Sequence, residues 1–424
     1  MELGSVQKEH NFSDISFYIG STGLSCRIPI YSDPMQDNYV VILKASAALS
    51  SLGLSCQTSV GAGESDLSGH GGPCDLDGLP VFAVSEEVQQ QIKEFVTEFE
   101  ELKKLDRVVH LAGLVSALLL KKSGWLIDRE AVGIFIGSSR GATASFESSY
   151  QNFLGNDSSR LSPLTSPVTT LGNLSSSLAR IFHVKGIHSS HSVTCSTSLH
   201  AILNGMAWLK SGLAKRVVVG GAEAPLTPFT LAQMKALKIY SKIKGEWPCR
   251  PMAVDQSKNT FVLGEGAACF AMELKDVEDL QRGDIYIAGF GFDTEFNSSL
   301  TAISKDGSVF QNTMYAACKA GRPDLVLVHA PGTLLGDRAE LQAIKAVFGT
   351  ELPAILSNKF LVGHTFGASG ALSMDYACAI LRSKRFIPFP YPSIEARSVK
   401  DPKSVLVNST GFGGNAVSIL IKRH

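Results

Sequence analysis

Apolar residues along this chain come in short unbroken runs rather than in strict alternation. AVGIFIGSS at 131–139, RVVVGGAEA at 216–224, DIYIAGFGF at 284–292 and DLVLVHA at 324–330 each read as a buried strand. FVLGEGAACFAMEL at 261–274 reads as one or two more strands, and VLVNSTGFGGNAVSILIK at 405–422 as two joined by a Gly-rich turn. AILSNK is a short strand, and Val193–Thr194 close another. YVVILKASAALSSLG at 39–53 reads as a buried strand, a turn and a short helix. Helical spacing covers 85–122, with a break near Leu105–Asp106, and recurs at 196–212, about 309–320, 340–348 and 370–383. Residues 60–75 are Gly/Ser-rich and read as a loop. Strands alternating with helices imply an α/β protein with layered sheets.

Composition narrows the class. With 424 residues, 44% hydrophobic and 18% charged, the chain can bury a large core. Its 39 acidic and 39 basic residues cancel, so no overall field draws nucleic acid or an anionic membrane. The longest apolar run, 108–120, is too short to span a bilayer. The polar first residues carry no signal-peptide core. The eight cysteines show no CxxC pair and no metal-ligand spacing with histidine. Reduced thiols, a cytoplasmic setting and no metal are the expectation. Residues 1–36 are polar and read as an extension.

Four stretches could carry chemistry. HSVTCSTSLH at 191–200 places Cys195 before a helix, where the helix N-terminus favours a thiolate and a backbone N–H could hold an oxyanion. The ordinary reading is a packed core thiol. SNKFLVGHTFGASGAL at 357–372 sets Lys359 five residues before His364 in a Gly/Ala-rich loop, which could equally be structural. LVLVHAPGTLLGDRAE at 325–340 ends a buried strand at His329, and Asp337 with Glu340 fits a capping box at the next helix. NSTGFGGN at 408–415 is a Gly-rich turn followed by a strand, so it is not a phosphate loop. GSSRG at 137–141 and VLGEGAA at 262–268 are also Gly-rich without a nucleotide fingerprint.

In their joint order and spacing these stretches resemble the β-ketoacyl synthases, the decarboxylating condensing enzymes of fatty-acid and polyketide synthesis. The resemblance runs from about Tyr39 to the C-terminus. VTCSTSLHAI is similar to the family's nucleophile run, and CRPMAVDQSKNTFVLGEGAACFAMEL to its Arg-Pro-Phe-Asp … Gly-Glu-Gly-Ala stretch. SNKFLVGHTFGASGA is similar to its Lys-…-Gly-His motif, and STGFGGN to its Phe-Gly-Phe-Gly-Gly turn. HAPGTLLGD fits the His-Gly-Thr-x-Thr-x-x-Gly-Asp motif without a gap, with His329, Thr333 and Asp337 in register and Ala330 and Pro331 departing from it. A gapped register would delete the histidine.

The resemblance implies a thiolase-like fold, with two pseudo-duplicated mixed-sheet halves in an α-β-α-β-α arrangement. The halves would span 37–275, with the nucleophile, and 276–424, with the two histidines. It implies Cys195 as the acyl-accepting nucleophile, and the N–H groups of Cys195 and Phe412 as an oxyanion hole. His329 and His364 would polarise a malonyl thioester, with Lys359 and Glu340 holding their orientation and charge. Asp337 and Thr333 would support them, Phe412 would gate the second substrate, and no cofactor is needed. The implied partner is an acyl carrier protein, for which Lys235, Lys238, Lys242 and Lys244 offer a basic stretch that could equally be a solvated face. A homodimer is expected, with a heterodimer as the alternative. Ser373 stands where the family often has Glu, and Thr410 where it has Phe, which points to a specialised type II pathway making a polyene or pigment chain. The rival readings are a chain-length-factor-like subunit with little activity of its own, and a plain acyltransferase or thioesterase.

Overall fold

A computed structural model describes residues 38–55, 72–125, 132–155, 161–171, 173–255, 257–296, 303–394 and 399–424. The expected extension at 1–36 and most of the 60–75 loop lie outside them.

The first run of elements is β1 (Tyr39–Ser50), β2 (Gly53–Leu54), β3 (Cys74–Leu76), β4 (Leu79–Phe82), α1 (Glu86–Glu98), α2 (Arg107–Ser123), β5 (Val132–Gly137), α3 (Thr143–Gly155), α4 (Thr165–Thr169), α5 (Asn173–Ile181), β6 (His188–Ser189), α6 (Thr197–Lys210), β7 (Arg216–Glu223), α7 (Pro228–Ala236), β8 (Leu263–Gly264) and β9 (Gly266–Asp276). The second is β10 (Ile285–Thr294), α8 (Ser308–Ala317), β11 (Leu325–Leu327), α9 (Leu334–Phe348), β12 (Ala354–Leu356), α10 (Lys359–Val362), α11 (Ser369–Ser383), β13 (Ser404–Gly411) and β14 (Asn415–Arg423).

The large sheet reads β12-β11-β13-β14-β10-β1-β9-β7-β5-β6. Its two ends have the same plan. β5 is parallel to β6 and β7, and β9 is antiparallel to β7 and β1. Likewise β11 is parallel to β12 and β13, and β14 is antiparallel to β13 and β10. The halves meet where β1 pairs with β10 at Val41↔Ile287 and Ile42↔Tyr286.

Burial explains the layers. α6 and α11 lie between the halves, and Leu199, Ile202 and Met206 of α6 share one core with Leu372, Met374 and Leu381 of α11. That position demands a helix apolar or small on nearly every side, and α11 is buried along almost its whole length. α1, α2 and α5 cover the outer face of the first half, and α8 and α9 that of the second. The result is the expected α-β-α-β-α order. The Leu105–Asp106 break is real, because Asp106 caps α2 by accepting the Val108 N–H at 2.9 Å.

Three expectations are corrected. Residues 39–53 hold no helix: β1 runs on to Ser50 and turns into β2, because its small Ala and Ser residues lie flat against β9 from Tyr39↔Asp276 to Leu49↔Ala267. Val193–Thr194 do not end a strand, since β6 stops at Ser189 and 193–195 form an irregular turn. Asp337 does not cap α9. Thr333 occupies that position, Asp337 lies inside the first turn, and its carboxylate is taken by loop N–H groups described below.

Candidate active site

Cys195 sits two residues before α6, in a turn whose backbone is forced. Thr194 has φ +48°, a region a β-branched residue rarely adopts. Three hydroxyl contacts hold it there. Thr197 Oγ1 donates to the Thr194 carbonyl at 2.6 Å, Thr194 Oγ1 donates to the Phe412 carbonyl at 3.1 Å, and the Val193 N–H donates to Thr197 Oγ1 at 2.8 Å. Ser409 Oγ donates to the Cys195 carbonyl at 3.1 Å, so the end of β13 lies against the cysteine. The contact demands a glycine at 411, where a Cβ would fall 1.9 Å from Thr194 Oγ1 and 2.8 Å from the Cys195 nitrogen. Phe412, next along, is 42% exposed.

Cys195 packs on an apolar cluster that includes Leu231, Met234, Phe261 and Phe366. Burial pushes its thiol up to about 12, and the nearby Glu223 carboxyl adds to that, while Lys359 opposes it. Burial thus opposes the expected thiolate more strongly than Lys359 favours it.

His364 is positioned by the 262–265 stretch. Its N–H donates to the Val262 carbonyl at 2.7 Å, and its carbonyl accepts the Gly264 N–H at 3.1 Å. Gly264 allows this approach, since a Cβ there would lie 2.0 Å from the Val362 carbonyl. The His364 ring accepts the Phe366 N–H at Nδ1, 3.0 Å away. A neutral ring that accepts at Nδ1 carries its own proton on Nε2 and can only donate from there. Burial first, and then Lys359, hold His364 well below the ordinary histidine range.

His329 follows β11 and its ring stands edge-on to that of His364, with centroids 5.3 Å apart. It too is held neutral by burial, Lys359 and His364, in that order. Its Nδ1 is buried without a hydrogen-bond partner among the described residues. Glu340, on α9, accepts the N–H groups of His329 at 2.9 Å and Ala330 at 2.7 Å, and the Asn408 amide at 3.0 Å. It thus fixes the backbone under His329 rather than the ring. Asp337 accepts from the N–H groups of Gly332 and Thr333, each at 3.1 Å, and of Met252 at 3.0 Å. The Ala330-Pro331 departure is accommodated by this pair of carboxylates, which clamps the turn on both sides. Burial and Glu340 push Asp337 up to about 7.

Lys359 is 1% exposed. Its ammonium donates to the Val328 carbonyl at 3.4 Å, and burial lowers it to about 8 against the pull of Glu340 and its neighbours. The structure thus gathers Cys195, His329, His364, Lys359, Glu340, Asp337 and Phe412 at the ends of β11, β12 and β13 and the start of α6. Ser373 donates to Asn358 at 3.1 Å and Thr410 to the Asn415 carbonyl at 2.8 Å, so both departures from the family pattern are locally satisfied. Lys235, Lys238, Lys242 and Lys244 are all exposed. Among the described residues no cluster of His, Cys, Asp and Glu could hold a metal ion.

Sequence reasoning missed Glu223. Fully buried at the end of β7, it accepts from Ser138 Oγ, from the N–H and Oγ of Ser139, and from the N–H groups of Arg140 and Gly367, all between 2.8 and 3.1 Å. It ties the loop after β5 to the loop after His364. The signal was an acid closing the apolar run RVVVGGAEA.

The chain belongs to the β-ketoacyl synthase family. Residues 18–277 match its N-terminal domain and 286–390 its C-terminal domain. The chain is 27% identical over 349 residues to a 3-oxoacyl-[acyl-carrier-protein] synthase 2 of Vibrio cholerae, covering 76% of this chain and 84% of that one. It is 25% identical over 416 residues to the protein of that name from Staphylococcus aureus strain MRSA252, covering 92% and 99%. The fold matches the ishigamide ketosynthase/chain length factor, with TM-score 0.74 and 18% identity over 91% of this chain and 99% of that one. It also matches a ketosynthase in complex with its chain length factor from Xenorhabdus doucetiae, with TM-score 0.72 and 20% identity over 93% and 100%.

Proposed function

We propose that this protein is a β-ketoacyl-[acyl-carrier-protein] synthase, which joins a malonyl unit to an acyl group held on Cys195. The observation that carries the reading is the pair of neutral buried rings of His329 and His364 beside the cluster on which Cys195 packs. His364 Nε2 is a donor, and a donor is what a thioester carbonyl needs as it becomes an enolate.

In the first step the Cys195 sulfur attacks the acyl thioester. The N–H groups of Cys195 and Phe412 hold the oxyanion, and the thiol proton leaves with the carrier thiol. In the second step malonyl thioester loses CO2, and its electron pair forms an enolate held by His329 and His364. The enolate carbon attacks the acyl-Cys195 carbonyl. The 3-ketoacyl thioester departs on the carrier, and the freed sulfur takes a proton from water. Burial first, and then Lys359, keep both rings neutral, and Glu340 and Asp337 hold the turn that carries His329.

The partner is an acyl carrier protein bringing both thioesters, and the exposed lysines at 235–244 offer it a basic approach. The working form is a dimer, a homodimer first. The repeat of strand order from β10 onward supports a division near residue 275 into a nucleophile half and a histidine half. The free cysteines among the described residues suit a reducing cytoplasm. The departures at Thr410 and Ser373 favour a specialised type II pathway, and ordinary fatty-acid elongation is the alternative.

The test is intact mass after mixing the protein with acyl-carrier protein, beside Cys195→Ala. An adduct lost in the variant, with CO2 release from malonyl carrier, supports the reading. A folded protein that takes no acyl group would be a chain-length-factor-like subunit instead. Acyl transfer without CO2 release would leave a plain acyltransferase.

A further inference from the structure

The GSSRG loop after β5 carries a cation that the reaction above does not use. Arg140 gives its backbone N–H to Glu223 at 3.1 Å and its Nη2 to Gln233 Oε1 at 2.5 Å. Its Cζ lies 5.8 Å from the centroid of the Phe366 ring. Its Nε is buried and has no hydrogen-bond partner among the described residues. A buried guanidinium N–H without an acceptor costs free energy that a ligand oxygen would recover.

The position of this guanidinium bears on the reaction. The Phe366 ring lies 5.8 Å from His364 and 6.3 Å from Phe261. Cys195 packs on the cluster that Phe261 and Phe366 share with Leu231 and Met234. Phe366 is itself held at φ +41°, a conformation that only the surrounding contacts sustain. The apolar cluster against which Cys195 packs therefore has a cation over one of its rings. A plain alkyl tail running along this cluster would leave the Arg140 Nε dry and unpaired. A tail with a carbonyl or carboxylate oxygen would pair with it, and the guanidinium plane suits either.

We propose that Arg140 is a specificity-determining residue that selects acyl chains bearing a carbonyl or carboxylate oxygen over plain alkyl chains. The proposal rests on the ketosynthase reading, because it needs an acyl group on Cys195.

The experiment loads the full chain with three pantetheine thioesters of equal length and reads the Cys195 adduct by intact mass against time. The acyl groups are octanoyl, 7-oxo-octanoyl and the monothioester of octanedioic acid. The wild type should load an oxygenated chain faster than octanoyl by roughly tenfold or more, the range of one hydrogen bond to a charged group. Arg140→Leu should erase that ratio. Arg140→Gln should keep a preference for the ketone and lose one for the carboxylate, which tells the two oxygen sources apart and serves if the leucine variant does not fold. A wild-type ratio near one, or a ratio unchanged in both variants, overturns the role of Arg140 alone. No adduct from any thioester overturns the ketosynthase reading with it.

Discussion

The Phe366 N–H donates to Nδ1 of His364 at 3.0 Å, and this one bond fixes the ring proton on Nε2. His364 is thereby a hydrogen-bond donor toward the site and not a base at that atom. His364→Ala should lower CO2 release from malonyl carrier by about 10²- to 10³-fold, the usual cost of one oxyanion donor. His364→Gln keeps an amide N–H in that region and should recover part of the loss. Acyl loading of Cys195, followed by intact mass, should persist in both. Equal losses in loading and decarboxylation would refute the division of labour.

Glu340 takes the N–H groups of His329 and Ala330 from deep burial. Glu340→Gln puts an amide donor where one of those N–H groups needs an acceptor. Destabilisation of about 1–3 kcal/mol should follow, read from denaturant midpoints. Condensation should fall more than acyl loading, because His329 moves and Cys195 does not.

Lys359 has a folded pKa near 8 against an ordinary 10.5. Between those values the unfolded chain holds more protons, so folding gains stability as pH rises through that window. Lys359→Met removes this slope. The stability of the wild type relative to the variant should increase from pH 8 to 10 by on the order of 2–3 kcal/mol. A flat difference would mean that Lys359 is not desolvated.

Gly411→Ala places a methyl 1.9 Å from Thr194 Oγ1 and 2.8 Å from the Cys195 nitrogen. The turn at 411–414 should be pushed off the cysteine, and Cys195 acylation should slow by tenfold or more, the scale expected when part of an oxyanion hole is lost. Adding Thr194→Ala should restore only part of the rate, since the Cys195 nitrogen still crowds the methyl.

The sequence by itself determined most of the buried strands and the helices at 85–122, 196–212, 309–320, 340–348 and 370–383, because unbroken apolar runs and helical spacing report local burial directly, but it did not find α3, α4, α5 and α7. It also placed Cys195, His329, Lys359 and His364 in motifs whose order resembles a known family, and the structure brings all four to one end of the strands. Its errors lie where local spacing allows more than one structure and packing across the fold decides. Asp337 looks like a helix cap from its neighbours, yet its oxygens go to Met252, Gly332 and Thr333. The small residues at 45–48 suit a turn or a strand equally, and pairing with β9 decided for the strand. A cysteine before a helix suggests a thiolate, but burial against the apolar cluster gathered from β4, α7 and the Phe366 loop pushes the thiol the other way. Glu223 and Arg140 gain their significance only from loops that the fold brings together. Protonation states and hydrogen-bond partners depend on distances across the fold, which local spacing does not encode, and so the tertiary structure alone decided them.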